Sequence, residues 1–178
     1  MQNANECLKI YMKNKLQKLN FKIRIVKDED RGWVRKLIRK QWASEKSISL
    51  GKILYPHRLP GFIAFKGKKK LGLITYNIKR NECEIITLNV LIKRKGIGRA
   101  LVERVKRICR KLNCKRLWLI TTNDNIDGLI FWQKIGFSLK EVYQNAISLS
   151  RKLKPEIPLF GNYGLPIRDE IELELKRI

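Results

Sequence analysis

Long apolar runs are missing from this chain of 178 residues. No stretch approaches the ~18 consecutive apolar residues that cross a bilayer, which excludes a helical membrane-spanning protein. Every short apolar stretch near the N-terminus is broken by Lys or Asn, so the apolar centre of a secretory signal is lacking too. Histidine is nearly absent, with His57 the single one, and the four cysteines form no Cys-x-x-Cys pair. That scarcity excludes a zinc site, which needs tight Cys and His spacing, and a disulfide scaffold, which needs denser cysteine. Cys7, Cys83, Cys109 and Cys114 are read as reduced thiols of a cytoplasmic protein that holds no metal. Acidic residues are scarce as well: 16 Asp and Glu stand against 40 Lys and Arg, a net charge of +24.

What is present is enough for a core. A hydrophobic content of 44% is too high for a disordered polycation. The length fits one domain. The charge draws polyanions over a long range. Abundant Lys, Ile and Asn fit a biased composition equally well. No helix-turn-helix pattern, zinc finger or aromatic-lined single-strand platform accompanies the charge. Nucleic acid therefore stays an alternative partner on charge alone, and a membrane is not expected.

Periodicity sets the elements. Leu8, Met12, Leu16 and Leu19 fall at helical spacing, so residues 1–19 read as an amphipathic helical extension before a single domain over 20–178. The exposed stripe of that helix is compatible with a homodimer. Phe21, Ile23 and Ile25 alternate as a strand. A helix capped by Asp28 or Asp30 follows, with Trp33, Val34, Leu37 and Ile38 on one face. Residues 43–60 are irregular and are expected as a loop with room for one short element. Gly61–Phe65, Leu71–Ile78 and Glu84–Leu91 form an antiparallel meander, with Lys68, Lys69 and Lys70 as solvated tips of its first turn. Gly96–Leu112 is a helix, Leu117–Thr121 a buried strand and Asn125–Ile135 a helix. Phe137–Tyr143 is a strand, Ala146–Leu153 a short helix, and 155–167 a loop rich in Pro and Gly. Ile171, Leu173 and Leu175 alternate with Glu170, Glu172 and Glu174 as a last strand. That acidic ladder either neutralises lysines on neighbouring strands or attracts a cationic amine. The order β–α–β–β–β–α–β–α–β–β gives an α/β (α+β) domain on a mixed sheet.

The stretch Lys93-Arg94-Lys95-Gly96-Ile97-Gly98-Arg99-Ala100 joins a strand to a helix. Two glycines let a ligand approach the backbone, and a helix N-terminus presents unpaired N–H groups and a positive dipole end. With three basic residues ahead of it, this is either a cradle for a pyrophosphate or a tight turn with no ligand. A dinucleotide fingerprint would need Gly or Ala where Leu101 stands, and no segment has the P-loop spacing.

The stretch resembles the coenzyme A signature of the GNAT acetyltransferase superfamily. Two more blocks resemble that family in order and spacing. They are Leu117–Asn125, similar to its fifth strand and exit loop, and Phe131-Trp132-Gln133-Lys134-Ile135-Gly136-Phe137, similar to its Phe-Tyr-x-x-x-Gly-Phe helix ending. The resemblance covers roughly residues 20–145. It implies a mostly antiparallel sheet flanked by helices, whose fourth and fifth strands splay to hold acetyl-CoA. It further implies that the backbones of Leu88 and Val90 bind the pantetheine arm and that the amides from Arg94 through Ile97 to Ala100 wrap the pyrophosphate. Lys93, Lys95 and Arg99 would meet phosphates, Asn125 the other side of the arm, and Phe131 and Trp132 the region of the thioester. Lys93 replaces the usual Arg or Gln and loses the guanidinium fork.

Trp132 replaces the tyrosine that commonly protonates the leaving thiolate, and an indole N–H is too weak an acid for that role. Three alternatives follow. The thiolate leaves unprotonated, Tyr143 or Tyr163 protonates it, or the protein binds coenzyme A without transferring an acetyl group. The implied acceptor is a primary amine of a small molecule or peptide. At pH 7 such an amine is neutral in about 1 molecule in 2,500, a cost of about 4.6 kcal/mol. A base must take its proton. Glu84, with Glu82 two residues before it, is the candidate, or else a strand-edge carboxylate paired with lysine. His57 is a second candidate base, or a plain loop histidine.

Overall fold

The computed structural model describes residues 20–175 and residue 178. The expected leading helix and Cys7 lie outside them. Seven strands form one sheet in the order β1-β4-β5-β6-β7-β9-β8. They are β1 (Lys22–Ile25), β4 (Gly61–Lys66), β5 (Lys69–Lys79), β6 (Glu82–Val90), β7 (Arg116–Thr122), β8 (Ser138–Tyr143) and β9 (Glu170–Leu175). Among the described residues only β6 and β7 pair parallel; every other neighbour is antiparallel. The meander expected from the apolar runs is β4-β5-β6. Among the described residues, four helices flank the sheet: α1 (Arg31–Trp42), α2 (Ile97–Lys111), α3 (Ile126–Lys134) and α4 (Ala146–Leu153).

The segment expected as a loop over 43–60 holds more order than its composition suggests. A hairpin of β2 (Ser47–Ser49) and β3 (Lys52–Leu54) turns through Leu50 and Gly51, both at positive φ. Pro56–Arg58 then makes a single 3-10 turn. Strands this short carry no period that a sequence scan can read.

Two apolar stripes place the helices on opposite faces. In α1, Val34, Leu37 and Ile38 bury against Ile63 and Leu73. In α2, Ile97, Leu101, Val102, Val105 and Cys109 join Leu71, Ile74, Ile85 and Trp132. Leu73 and Ile74 are consecutive in β5, and alternate side chains of a strand face opposite ways. Each fully buried aliphatic side chain contributes about 1.5–3 kcal/mol, so α2 is held mainly by packing.

The entry to α1 is electrostatic. The buried Asp30 carboxylate accepts from Arg24 Nη1 at 2.5 Å and Nη2 at 2.9 Å, and from the Lys27 amide at 3.0 Å. Lys70 Nζ lies 2.7 Å from it and 4.8 Å from the centre of the Trp33 ring. Lys70 is therefore no solvated tip: it reaches back from the hairpin to the start of α1. The Arg24 hydrogen bond, with help from Lys70, holds the Asp30 carboxyl well below the usual carboxylate range. A lowered folded-state pKa contributes stability that is complete above the unfolded value, about 3.9, and is lost as pH falls below it. Asp30→Ala is expected to cost about 2–3 kcal/mol near neutral pH, less than the ~3–5 of a fully buried pair because Arg24 and Lys70 reach water. Urea unfolding checks this: the gap to wild type closes in acid, and equal stability at pH 7 would remove the role.

Candidate active site

The pairing of β6 with β7 runs from Glu82↔Arg116 to Ile85↔Leu119 and stops. On the other side of β6, Thr75 faces Thr87 while Tyr76 faces Ile85, so Ile86 is an extra, bulged residue. A bulge bends its strand and sharpens the twist. Beyond it, β6 and β7 diverge, and Ile86 and Ile120 line the opening. The Leu91 amide donates to Leu71. Alternation along an antiparallel ladder then makes Leu73/Asn89 and Thr75/Thr87 the hydrogen-bonded pairs. The backbone groups of Leu88 and Val90 therefore turn away from β5, into the splay.

The chain next rises into α2 through Arg94 at φ 60° and Gly96 at φ 77°. No side chain caps this helix, and its first internal bond runs from the Ala100 amide to the Gly96 carbonyl at 3.0 Å. The amides of Ile97, Gly98 and Arg99 are thus left for an anion. A Cβ on Gly98 would sit 3.2 Å from the Phe131 ring and 3.4 Å from Val90, so a side chain there presses on both neighbours. Lys93 Nζ lies 3.6 Å from Asp127 at the start of α3, across the slot.

A cavity of about 810 Å³ opens at the splay. Its walls come from β6, the exit of β7, the end of α1, β2, α4 and the loop after α4. Glu84 reaches it with Oε1 accepting from Ser49 Oγ at 2.5 Å. Burial pushes the Glu84 carboxyl up, opposed by the Ser49 hydrogen bond and by Lys52. Asn125 caps α3: its Oδ1 accepts from the Gly128 amide at 3.2 Å and its Nδ2 donates to Thr121 Oγ1 at 2.8 Å. Asp124 beside it ties down the loop over 155–167. It accepts from Thr122 Oγ1 at 2.5 Å and from the Asn162 amide at 2.9 Å and Nδ2 at 2.8 Å.

The other residues singled out in the sequence lie elsewhere. Trp132 is 6% exposed, edge-on to Phe131 and Phe137, and belongs to the core. Tyr143 sits on the outer strand β8, outside the cavity wall. Its hydroxyl donates to Glu172 at 2.8 Å, and burial followed by that carboxylate pushes it up to about 12. Tyr163 donates to Asp127 at 3.0 Å, on the surface. No tyrosine is among the described residues of the wall. His57 is buried rather than exposed, with Nε2 3.3 Å from Arg35, and burial followed by Arg35 lowers its pKa. It too lies outside the cavity.

The acidic ladder divides. Glu172 and Glu174 pair with Arg116, and Lys140 lies 3.8 Å from Glu174. Glu170 lines the cavity, held by Ser150 Oγ at 2.8 Å and the Leu50 amide at 2.9 Å. Its partners are thus an arginine, a tyrosine, a serine and a backbone amide, with one lysine. Sequence reasoning missed Ser49, Asn89, Gln41 and Ser150, polar residues in elements too short or too far apart to signal one another.

The sequence profile of the Acetyltransferase (GNAT) family matches residues 24–137. The chain belongs to the GNAT acetyltransferase family. It is 43% identical over 136 residues, 76% of this chain and 86% of the other, to the uncharacterized protein YxbD of Bacillus subtilis (strain 168). Two solved structures share its fold. One is the IAA acetyltransferase from Bacillus cereus ATCC 14579, with a TM-score of 0.68 at 20% identity over 88% of this chain and 99% of that one. The other is a GNAT family acetyltransferase from Elizabethkingia anophelis with acetyl-CoA bound, with a TM-score of 0.63 at 18% identity over 89% and 99%. In chain order, β6 and β7 are the fourth and fifth strands of the seven-stranded sheet.

Asp124 is the tie that closes the cavity wall. Asp124→Ala is expected to cost about 1–3 kcal/mol, since it leaves the Asn162 amide unpaired. Limited proteolysis would then cut within 155–167 faster than in wild type. An unchanged cleavage rate there would show that the loop is held by other contacts.

Proposed function

We propose that this chain is a cytoplasmic, acetyl-CoA-dependent N-acetyltransferase that acts on a primary amine by direct transfer in a ternary complex. One observation carries the reading: a half-buried carboxylate, Glu84, lines the same splay that leads to the uncapped N-terminus of α2. Acetyl-CoA supplies the thioester, and its departing group is a thiolate. The backbone groups of Leu88 and Val90 take the pantetheine arm, with Asn125 on the facing wall. The amides from Arg94 to Ala100 take the pyrophosphate, and Lys93, Lys95 and Arg99 add positive charge. Glu84, pushed up by burial, takes the proton of the attacking amine directly or through water. A β6 amide near Leu88 or Val90 donates to the carbonyl oxygen as negative charge develops there. No tyrosine stands at the described wall, so the thiolate departs as the anion, which a thiol of pKa about 8.5 tolerates. A second reading, binding of coenzyme A without transfer, draws support from the core position of Trp132.

Calorimetric titration with acetyl-CoA is expected to show micromolar binding that Gly98→Glu abolishes, because the new side chain meets Phe131 and adds negative charge at the anion site. No binding to wild type would overturn the cofactor assignment. Glu84→Gln is expected to lower kcat by about 10²–10⁴-fold. Glu84 acts as the carboxylate, so the wild-type rate falls as pH drops through its raised pKa, and that limb disappears in the variant. Binding of acetyl-CoA with no amine-dependent thiol release would favour the second reading.

A further inference from the structure

Polar side chains on the cavity wall are mostly satisfied. Glu84 has Ser49, Asp124 has Thr122 and Asn162, and Asn125 has Thr121 and Gly128. Asn89 differs. It is 3% exposed, its Nδ2 donates to Gln41 Oε1, and both residues line the cavity. Its Oδ1 is the one buried side-chain N or O atom among the described residues that has no hydrogen-bond partner. A buried acceptor left unpaired is costly and uncommon, and a donor arriving with a ligand removes the cost.

The direction of the side chain indicates which ligand. Leu88 and Val90 pack against the core that contains Ile97 and Leu101, on the α2 face. Asn89 lies between them in β6 and points to the opposite face, where Gln41 ends α1. The coenzyme A signature and α3 belong to the first face. The second face is walled by α1, β2 and α4, and Glu84 meets β2 there through Ser49.

We infer that the Asn89 carboxamide, held by Gln41, recognises an N–H or O–H donor on the acceptor, so that the acceptor carries such a group away from the nitrogen that is acetylated. The inference rests on the acetyltransferase reading above. A site built to hydrogen-bond a donor rejects the analogue lacking it, because its own polar atom is then left unpaired.

The test uses the full chain and a series of straight-chain alkylamines. Each is compared with the amino alcohol in which a terminal hydroxyl replaces the methyl group. At saturating acetyl-CoA, kcat/KM from thiol release is expected to favour the amino alcohol at the best chain length by about tenfold or more. Asn89→Leu should bring that ratio to about one, and Asn89→Asp, which keeps an oxygen acceptor, should retain a preference. Because the unpaired Oδ1 is a cost in the free protein, Asn89→Leu should not lower Tm. A ratio near one in wild type at every length overturns the inference. So does an undiminished ratio in Asn89→Leu, or a raised KM for acetyl-CoA with the preference intact, which would assign the carboxamide to the cofactor. If no amine is turned over, the acetyltransferase reading fails by itself. Calorimetric binding of the same pairs to the protein with coenzyme A still decides: equal affinities overturn the inference, and a tenfold difference lost in Asn89→Leu supports it.

Discussion

The parallel pairing of β6 with β7 ends after four residue pairs, at Ile85↔Leu119, and the rest of the site depends on that ending. A backbone N–H or C=O taken out of a ladder must find another partner or face solvent. The bulge at Ile86 turns β6 at the same level, so the two strands cannot rejoin further along. The freed groups of Leu88 and Val90 then line a slot, and the connection from β6 to α2 opens at the same end. A longer β6–β7 ladder would satisfy those groups and close the cavity.

The charge balance gains meaning only at this place. A chain with 40 Lys and Arg spends its few acids with care. Asp30 fixes the start of α1 through Arg24 and Lys70, and Glu172 and Glu174 fix β9 to β7 through Arg116. Asp124 holds the loop that covers the cavity. Glu84 and Glu170 reach the cavity wall with neutral hydrogen-bond partners. Together with Asp124 and Glu156 they give a basic protein a cavity wall with four acids against two lysines, Lys40 and Lys154.

Where the tyrosine of the family motif stands, Trp132 fills the core against Phe131 and Phe137. Its size suits packing, and its N–H cannot serve as a useful acid. Tyr143 has the right chemistry and the wrong strand. β8 lies outside β9, two strands from β7, and its hydroxyl is already given to Glu172. Chemical type alone therefore says nothing of position, because sequence does not reveal that β9 inserts between β7 and β8.

Features that depend on neighbours along the chain are legible in the sequence. The apolar stripes of α1 and α2 set those helices, the runs in β4, β5 and β6 set the meander, and Gly96 and Gly98 set the anion-ready turn. Each follows from a local period or a local steric requirement. Tertiary structure alone decided what depends on residues far apart. It buried His57, drew Lys70 to Asp30, ordered 43–60 as a hairpin against α4, and brought Gln41, Ser49, Glu84, Asn89 and Glu170 to one cavity. Those five come from α1, β2, β6 and β9, and the spacing between them in the chain bears no relation to distance in the fold. Hydrogen bonds across such separations form only after the sheet has fixed its strand order.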